Sequence, residues 1–477
     1  MPASPRPDGQ GEDIMDLMIA LLALTFLMVA AYRGYSVILF APVAAMLAVA
    51  LTDPSAIAPV FTGLFMEKLA SFVKNYFPVF MLGALFGKLI EISGFAKTIV
   101  RVVIGLLGRE RAILSIVLVA ALLTYGGVSV FVVVFAVYPF AAEMFKTADI
   151  PKRLIPGTIA LGAFTFTMDS LPGTPQIQNI IPTTFFKTDT WAAPMLGTIG
   201  GIFILAMGLA YLEWCRRSAL AAGEGYGSGH INEPAKIEGE TMAHPALALF
   251  PLILVGIVNK LLTSLIPQIY SPGREVVLTP GGKPVTADVA ASTALWAVEG
   301  ALIAGILAVV LLGWRNVKTH FAEGSKAAVG GALLASLNTA SEYGFGAVIA
   351  ALPGFYAISE ALKAIPNPLF NLALTVTSLA GITGSASGGM SIALAAMSER
   401  FVAMANEAGI PLEVFHRVAA MASGGMDTLP HNGAVITLLA VTGLTHRQSY
   451  KNIFAITLIK TFAVVVVIAL YYATGII

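Results

Sequence analysis

The chain has 477 residues, 57% hydrophobic and only 12% charged, with a formal net charge of +1 and a mean hydropathy of +0.83. A soluble domain carries about 25% charged residues, so an ordinary water-soluble protein is excluded. The balanced charge argues against nucleic acid as a partner, which leaves an all-α polytopic membrane protein in contact with a lipid bilayer.

After a polar tail over 1–13, apolar runs at 14–31, 37–51 and 77–92 predict the first spans. The leader carries Asp8, Glu12 and Asp13 rather than a basic n-region, and no clear small-residue cleavage site follows, so the first run reads as a retained span and not a signal peptide. Runs at 112–144, 155–186 and 192–213 complete a first half over 14–214. The segment 215–243, with its Gly-Glu-Gly-Tyr-Gly-Ser-Gly, reads as a flexible cytoplasmic linker. It contains Cys215, the single cysteine, which rules out an internal disulfide and a thiolate metal cluster. The second half, 244–477, has runs at 244–266, 292–313, 327–352, 366–398, 417–442 and 453–474. Trp191 with Trp214, and Trp296 with Trp314, bracket two runs as interfacial anchors.

The basic loops orient the chain. Arg33, the group Lys97, Arg101, Arg109 and Arg111, and the group Lys146, Lys152 and Arg153 are placed in the cytoplasm. So are Arg216, Arg217, Arg315, Lys318, His446, Arg447 and Lys451, with both termini periplasmic. The loops near 52–76, 267–291 and 399–413 then face outward. Runs 112–144 and 366–398 must enter and leave on one side. Each is about 33 residues, too short for two crossings of about 20 residues each, so both are expected to be re-entrant hairpins beside about ten transmembrane helices.

One pentapeptide occurs twice: Met168-Asp169-Ser170-Leu171-Pro172 and Met426-Asp427-Thr428-Leu429-Pro430. It belongs to a self-similarity with an offset of roughly 260 residues, the signature of two inverted-topology repeats. Gly126-Gly127-Val128-Ser129 answers Gly388-Gly389-Met390-Ser391, and Ile150-Pro151 answers Ile410-Pro411. Proline cannot continue a helix, so 155–186 and 417–442 are expected to be broken helices. Their freed carbonyls can take a cation, and the restarting N-termini can take an anion.

The candidate substrate ligands are the hairpin and break residues Gly126, Gly127, Ser129, Ser170, Thr174, Ser385, Ser387, Gly388, Gly389, Ser391, Thr428, His431 and Asn432. The candidate coupling-ion carriers are Asp169, Asp427 and Glu342, acids deep in apolar surroundings. Each aspartate can instead cap a restarting helix, Asn432 can do the same, and Glu342 can be a structural hydrogen-bonding group. Lys460 needs a partner or snorkels to the interface. No zinc, nucleophile-elbow or nucleotide motif is present, so neither a metal nor an enzymatic role is expected.

At Gly424-Gly425-Met426-Asp427-Thr428-Leu429-Pro430-His431-Asn432-Gly433 and the first break, the chain resembles the gluconate permease family of the ion transporter superfamily, most of all its D-beta-hydroxybutyrate permease branch. The resemblance implies bacterial inner-membrane, cation-coupled uptake of a small organic acid by a dimer. It also implies an elevator-like transport domain over roughly 112–187 and 366–442. The expectation is proton-coupled symport of a short hydroxy-monocarboxylate such as 3-hydroxybutyrate, with no cofactor. The alternatives are a sugar acid such as gluconate, sodium coupling, or a sodium/proton antiporter.

Overall fold

The computed structural model describes residues 9–477 apart from 34, 109–110, 235–242, 271–276, 278–281, 285–287, 355–364 and 431. Among the described residues every regular element is helical. Helices α1 (Gly9–Tyr32) and α2 (Val37–Thr52) pack through small side chains. Ala41, Ala44, Ala45 and Ala48 are almost wholly buried on one face of α2, the spacing that lets membrane helices approach closely. Turns of 3-10, α and π type over 54–65 lead into α3 (Met66–Ile92). The segment 54–76, expected as an outward loop, is therefore continuous with a span. Gly94, at φ +80°, then reverses the chain into amphipathic α4 (Phe95–Leu107), which carries Lys97 and Arg101; Arg109, beyond it, lies outside the described residues.

The first half continues with α5 (Ala112–Tyr125), α6 (Val130–Thr147), α7 (Ile155–Ala163), a single turn Phe166–Asp169, α8 (Ile177–Phe186) and α9 (Pro194–Ala221). The second half has α10 (Pro245–Ile269), α11 (Val289–Leu312) and α12 (Trp314–Ala351). There follow α13 (Pro368–Thr383), α14 (Ala386–Ala408), α15 (Leu412–Ser423), α16 (Gly433–Thr442) and α17 (His446–Thr474). The order helix pair, helix, break, short helix, long helix thus occurs in both halves.

Six helices among the described residues are long and apolar enough to cross a membrane, fewer than the ten or so spans expected. The difference lies in the pieces: α2, α16 and Met15–Leu27 within α1 are short apolar helices, and the span-length α6 belongs to one of the predicted hairpins. Helix α12 also differs, because 314–326 is helical rather than a loop. It contains no proline, and its Gly324 is held against Ile92 and Lys88 of α3.

The linker is not loose where it is described. Lys152, with a wholly buried side chain, pairs with Glu233 at 2.8 Å and donates to Ile231 O. Tyr226 N donates to Asp149 Oδ1, Tyr138 OH to Asn232 O, and Asn232 Nδ2 to Ala440 O. Residues 224–233 therefore strap the base of α6 to the end of α16. Backbone polar groups and two charges found partners, which composition could not reveal.

Candidate functional site

Each broken helix stops before its proline. In the first, α7 ends at Ala163 and Phe164 leaves the helical path; the chain restarts at Ile177 after Pro172 and Pro175. In the second, α15 ends at Ser423 and α16 restarts at Gly433 after Pro430. The carbonyls freed by the first break do hold cations, but the cations are side chains of the second half. Lys460 Nζ on α17 donates to Phe164 O at 2.9 Å. Arg417 on α15 donates through Nη1 to Asp169 O at 3.0 Å and through Nε and Nη2 to Ala192 O at 3.2 and 2.7 Å.

The two pentapeptides meet there. Asp427 is ion-paired with Lys460. The Asp169 carboxylate accepts from Ser170 Oγ at 2.8 Å and lies against Gly424, where any Cβ would collide with it. Asp169 and Lys460 are each 2% exposed, Asp427 5% and Arg417 0%. Two acids and two bases thus form a buried group whose formal charges sum to zero. A buried charge persists only with such compensation.

The neighbours explain how the group is held. Asn179 Nδ2 donates to Thr174 O and Thr190 O, which fixes its Oδ1 as the acceptor for Arg417 Nη1 at 2.9 Å and His416 Nε2 at 3.2 Å. His416 Nε2 therefore carries a hydrogen, and in the neutral ring Nδ1 accepts from Thr188 Oγ1 at 2.7 Å. One face of α17 braces the second break. Tyr450 OH donates to Thr428 O, Thr457 Oγ1 meets Thr428 Oγ1, and Thr461 Oγ1 donates to Gly425 O. Helix α9 lies equally close to the first break, because Gly197 has no side chain to strike Ser170 O and Arg417.

Neither aspartate caps a helix. The cap positions are Gln176 and Asn432, the residues before α8 and α16. Asn432 Oδ1 accepts from Val435 N at 2.9 Å, and its Nδ2 donates to Gly384 O at the tip between α13 and α14. Gln176 Nε2 donates in the same manner to Thr124 O at 2.7 Å, at the tip between α5 and α6. Each restarting helix thus grips the adjacent tip by one amide.

The remaining candidates divide. Gly126 is covered by Leu252 of α10, and Gly127, at φ +97°, packs on Pro175, Leu302 and Phe86. Ser129 starts α6 beside Gly87. Thr174 Oγ1 is spent on Thr167 O. Gly388 and Gly389 lie in the first turn of α14, not in the tip, whose turn is Gly384–Ser385. The structural counterpart of Ser129 is therefore Ser385, each starting its helix, and the sequence match of the two Gly-Gly pairs is out of register. Gly389 allows α14 to touch Ala380 of α13, a packing role. Ser391 is fully buried, its hydroxyl without a partner among the described residues. Ser385, Ser387, Gly388 and Glu342 gather at a second place, where the tip between α13 and α14 meets α12. His431 lies outside the described residues.

Sequence reasoning did not single out Arg417, His416 or Asn179; for Lys460 it left a partner or snorkelling open, and the structure supplies partners. The signal for Lys460 was present, a lone lysine nine residues after Lys451, the last basic loop residue. Trp191 is also more than an anchor: its ring covers Gly173, and Lys260 Nζ sits 4.8 Å from its centroid.

No protein-family model matches the chain. It is 59% identical over 475 residues, 97% of this chain and 100% of the relative, to a Bacillus subtilis (strain 168) protein described as uncharacterized transporter YxjC. Among solved structures it resembles the YdaH transporter of Alcanivorax borkumensis, whose topology is described as unusual, at 14% identity and TM-score 0.52 over 97% of this chain and 98% of that one. It also resembles MtrF of Neisseria gonorrhoeae, described within a class of antimetabolite efflux pumps, at 13% identity and TM-score 0.50 over 96% and 94%. These likenesses show the fold. Neither they nor the relative carry the gluconate permease name implied by the motif resemblance.

Proposed function

The chain belongs to the same family of membrane transporters as YxjC, and from the geometry of its two breaks we propose that it couples protons to a small organic carboxylate. The Asp427–Lys460 ion pair carries this reading, because it sits inside a buried group of zero net charge. A proton on Asp427 removes one negative charge and frees the Lys460 ammonium. A substrate carboxylate then restores the balance, held by the ammonium and by the hydroxyls of Ser170 and Thr428. Either event alone leaves an uncompensated charge in a medium that penalises it by several kcal/mol. Proton and monocarboxylate therefore travel together, the stoichiometry of symport.

A short hydroxy acid such as 3-hydroxybutyrate suits the site. Its carboxylate answers one ammonium, and its hydroxyl answers one of the neighbouring hydroxyl or amide groups. The residues around the breaks are themselves tied to one another, which favours a small ligand over gluconate. The proposal includes residence in a bacterial inner membrane with periplasmic termini, a homodimer, and movement of the tips and breaks as one body. The strap from α6 to α16 and the amides of Gln176 and Asn432 support that last element.

The test is uptake of labelled 3-hydroxybutyrate into proteoliposomes with an imposed inward proton gradient. Accumulation driven by that gradient supports symport. Accumulation that requires sodium and ignores the pH difference overturns the proton assignment. Movement of an organic acid against the proton flow would replace symport by export, the role named for MtrF.

A further inference from the structure

We propose that Glu342 is a second proton-binding site, separate from the aspartate pair, and that its proton closes the tip between α13 and α14 onto α12. Helices α12 and α14 lie in close contact over two turns. Thr339 Oγ1 meets Ser387 Oγ at 3.3 Å, the Glu342 carboxylate covers Gly388, and Gly346 lies on Ile392. The carboxylate rests so closely on Gly388 that any Cβ there would overlap it. It is therefore directed at the first turn of a 23-residue helix. Glu342 is 3% exposed, and its Oε2 has no hydrogen-bond partner among the described residues. Its polar neighbour is the Ser385 hydroxyl.

Among the described residues no counter-charge is supplied. Helix α2 and the segment 54–65 carry no charged side chain. Helix α3 has Glu67, Lys68, Lys74 and Tyr76 at this level, and α12 itself has Tyr343. Asp16 of α1 meets the chain at Gly354, Glu299 lies on α11, and Glu399 and Arg400 of α14 are about three turns beyond Gly388. None of these acts on the carboxylate, whose surroundings reduce to burial and Ser385. An ionised carboxylate sealed in such a place is costly, whereas in water it is not. The closed tip holds the proton and the open tip releases it, so falling pH favours closure. Gly388 is the residue that makes closure possible.

The inference stands apart from the Asp427–Lys460 reading and is tested by tip accessibility instead of transport. In a Cys215→Ala background, Ser387→Cys reports the opening of the tip through its rate of thiol modification in proteoliposomes. Rates are divided by those of the same reporter carrying Glu342→Gln at each pH, which cancels thiol ionisation. The neutral glutamine is expected to hold the tip closed throughout. The ratio should then rise with pH, at most about tenfold per unit for one linked proton. Gly388→Ala, which displaces the carboxylate, should label rapidly at every pH. Asp427→Asn should leave the pH dependence intact while transport fails, which separates the two sites. A flat ratio in a folded protein overturns the proposal, and so does sodium at fixed pH reproducing the effect.

Discussion

The most direct prediction concerns the ion pair that joins the second pentapeptide to α17. Asp427→Asn leaves the Lys460 ammonium buried with only Phe164 O as partner, and Lys460→Met leaves the Asp427 carboxylate without its cation. Removing one member of a buried pair costs about 3–5 kcal/mol. Removing both eliminates the stranded charge and leaves chiefly the unpaired Phe164 carbonyl, a loss of about 1–3 kcal/mol. The double variant should therefore be more stable than either single one by about 2 kcal/mol, a clear departure from additivity between contacting residues. The assay is denaturant unfolding in mixed micelles of all four proteins. Coupled uptake should be lost in both single variants and should not return in the double variant, because the charge exchange needs both groups. If the two substitutions add with a coupling energy below about 0.5 kcal/mol, the charges do not depend on each other and the proposed exchange fails.

Three further outcomes follow from the contacts around the breaks and the linker. Gly197→Ala places a Cβ against Ser170 O and 2.8 Å from Arg417 Nε; overpacking of this kind costs about 1–3 kcal/mol, read as a lower unfolding midpoint, whereas half-buried Gly256, with open space at its Cβ position, should tolerate alanine. Asn432→Ala removes a cap worth about 0.5–2 kcal/mol together with the grip on Gly384 O, so amides 384–388 and 433–435 should exchange faster while those at Gln176 do not. The Arg153 guanidinium holds the Glu224 carboxyl below its ordinary range; the contribution is present above the ordinary carboxylate value and is lost as pH falls through the lowered one, so protection of amides 222–234 should hold at neutral pH and fall only once pH drops below the ordinary carboxylate range.

The all-α membrane fold and the two breaks were legible because they rest on local rules. Apolar runs of span length and prolines within them act over a few residues. The repeat placed Asp169 and Asp427 in equivalent positions before any geometry was known. The register of the tips was not legible, because Gly126-Gly127 and Gly388-Gly389 look alike in sequence but do different work. The first pair turns the chain at a positive φ, while the second lies inside a helix and allows close approach to Ala380 and Glu342. Glycine identity records the absence of a side chain, not the reason for it. The docked linker was missed for a related reason. Its partners Asp149, Lys152 and Ala440 are remote in sequence.

The charges show most clearly where local reasoning ends. A carboxylate in an apolar run predicts compensation but not its source. Here the source is 33 residues away on another helix for Asp427. For the first break it is the opposite half of the chain, 248 residues from Asp169 to Arg417. That crossing has a mechanical consequence. Lys460 touches both breaks at once, through Phe164 O and Asp427, so any event that neutralises Asp427 also changes the hold of α17 on the first break. The duplicated pentapeptide therefore forms one electrostatic unit, not two independent sites, and on the proposed mechanism a change of charge in one half is felt at the backbone of the other.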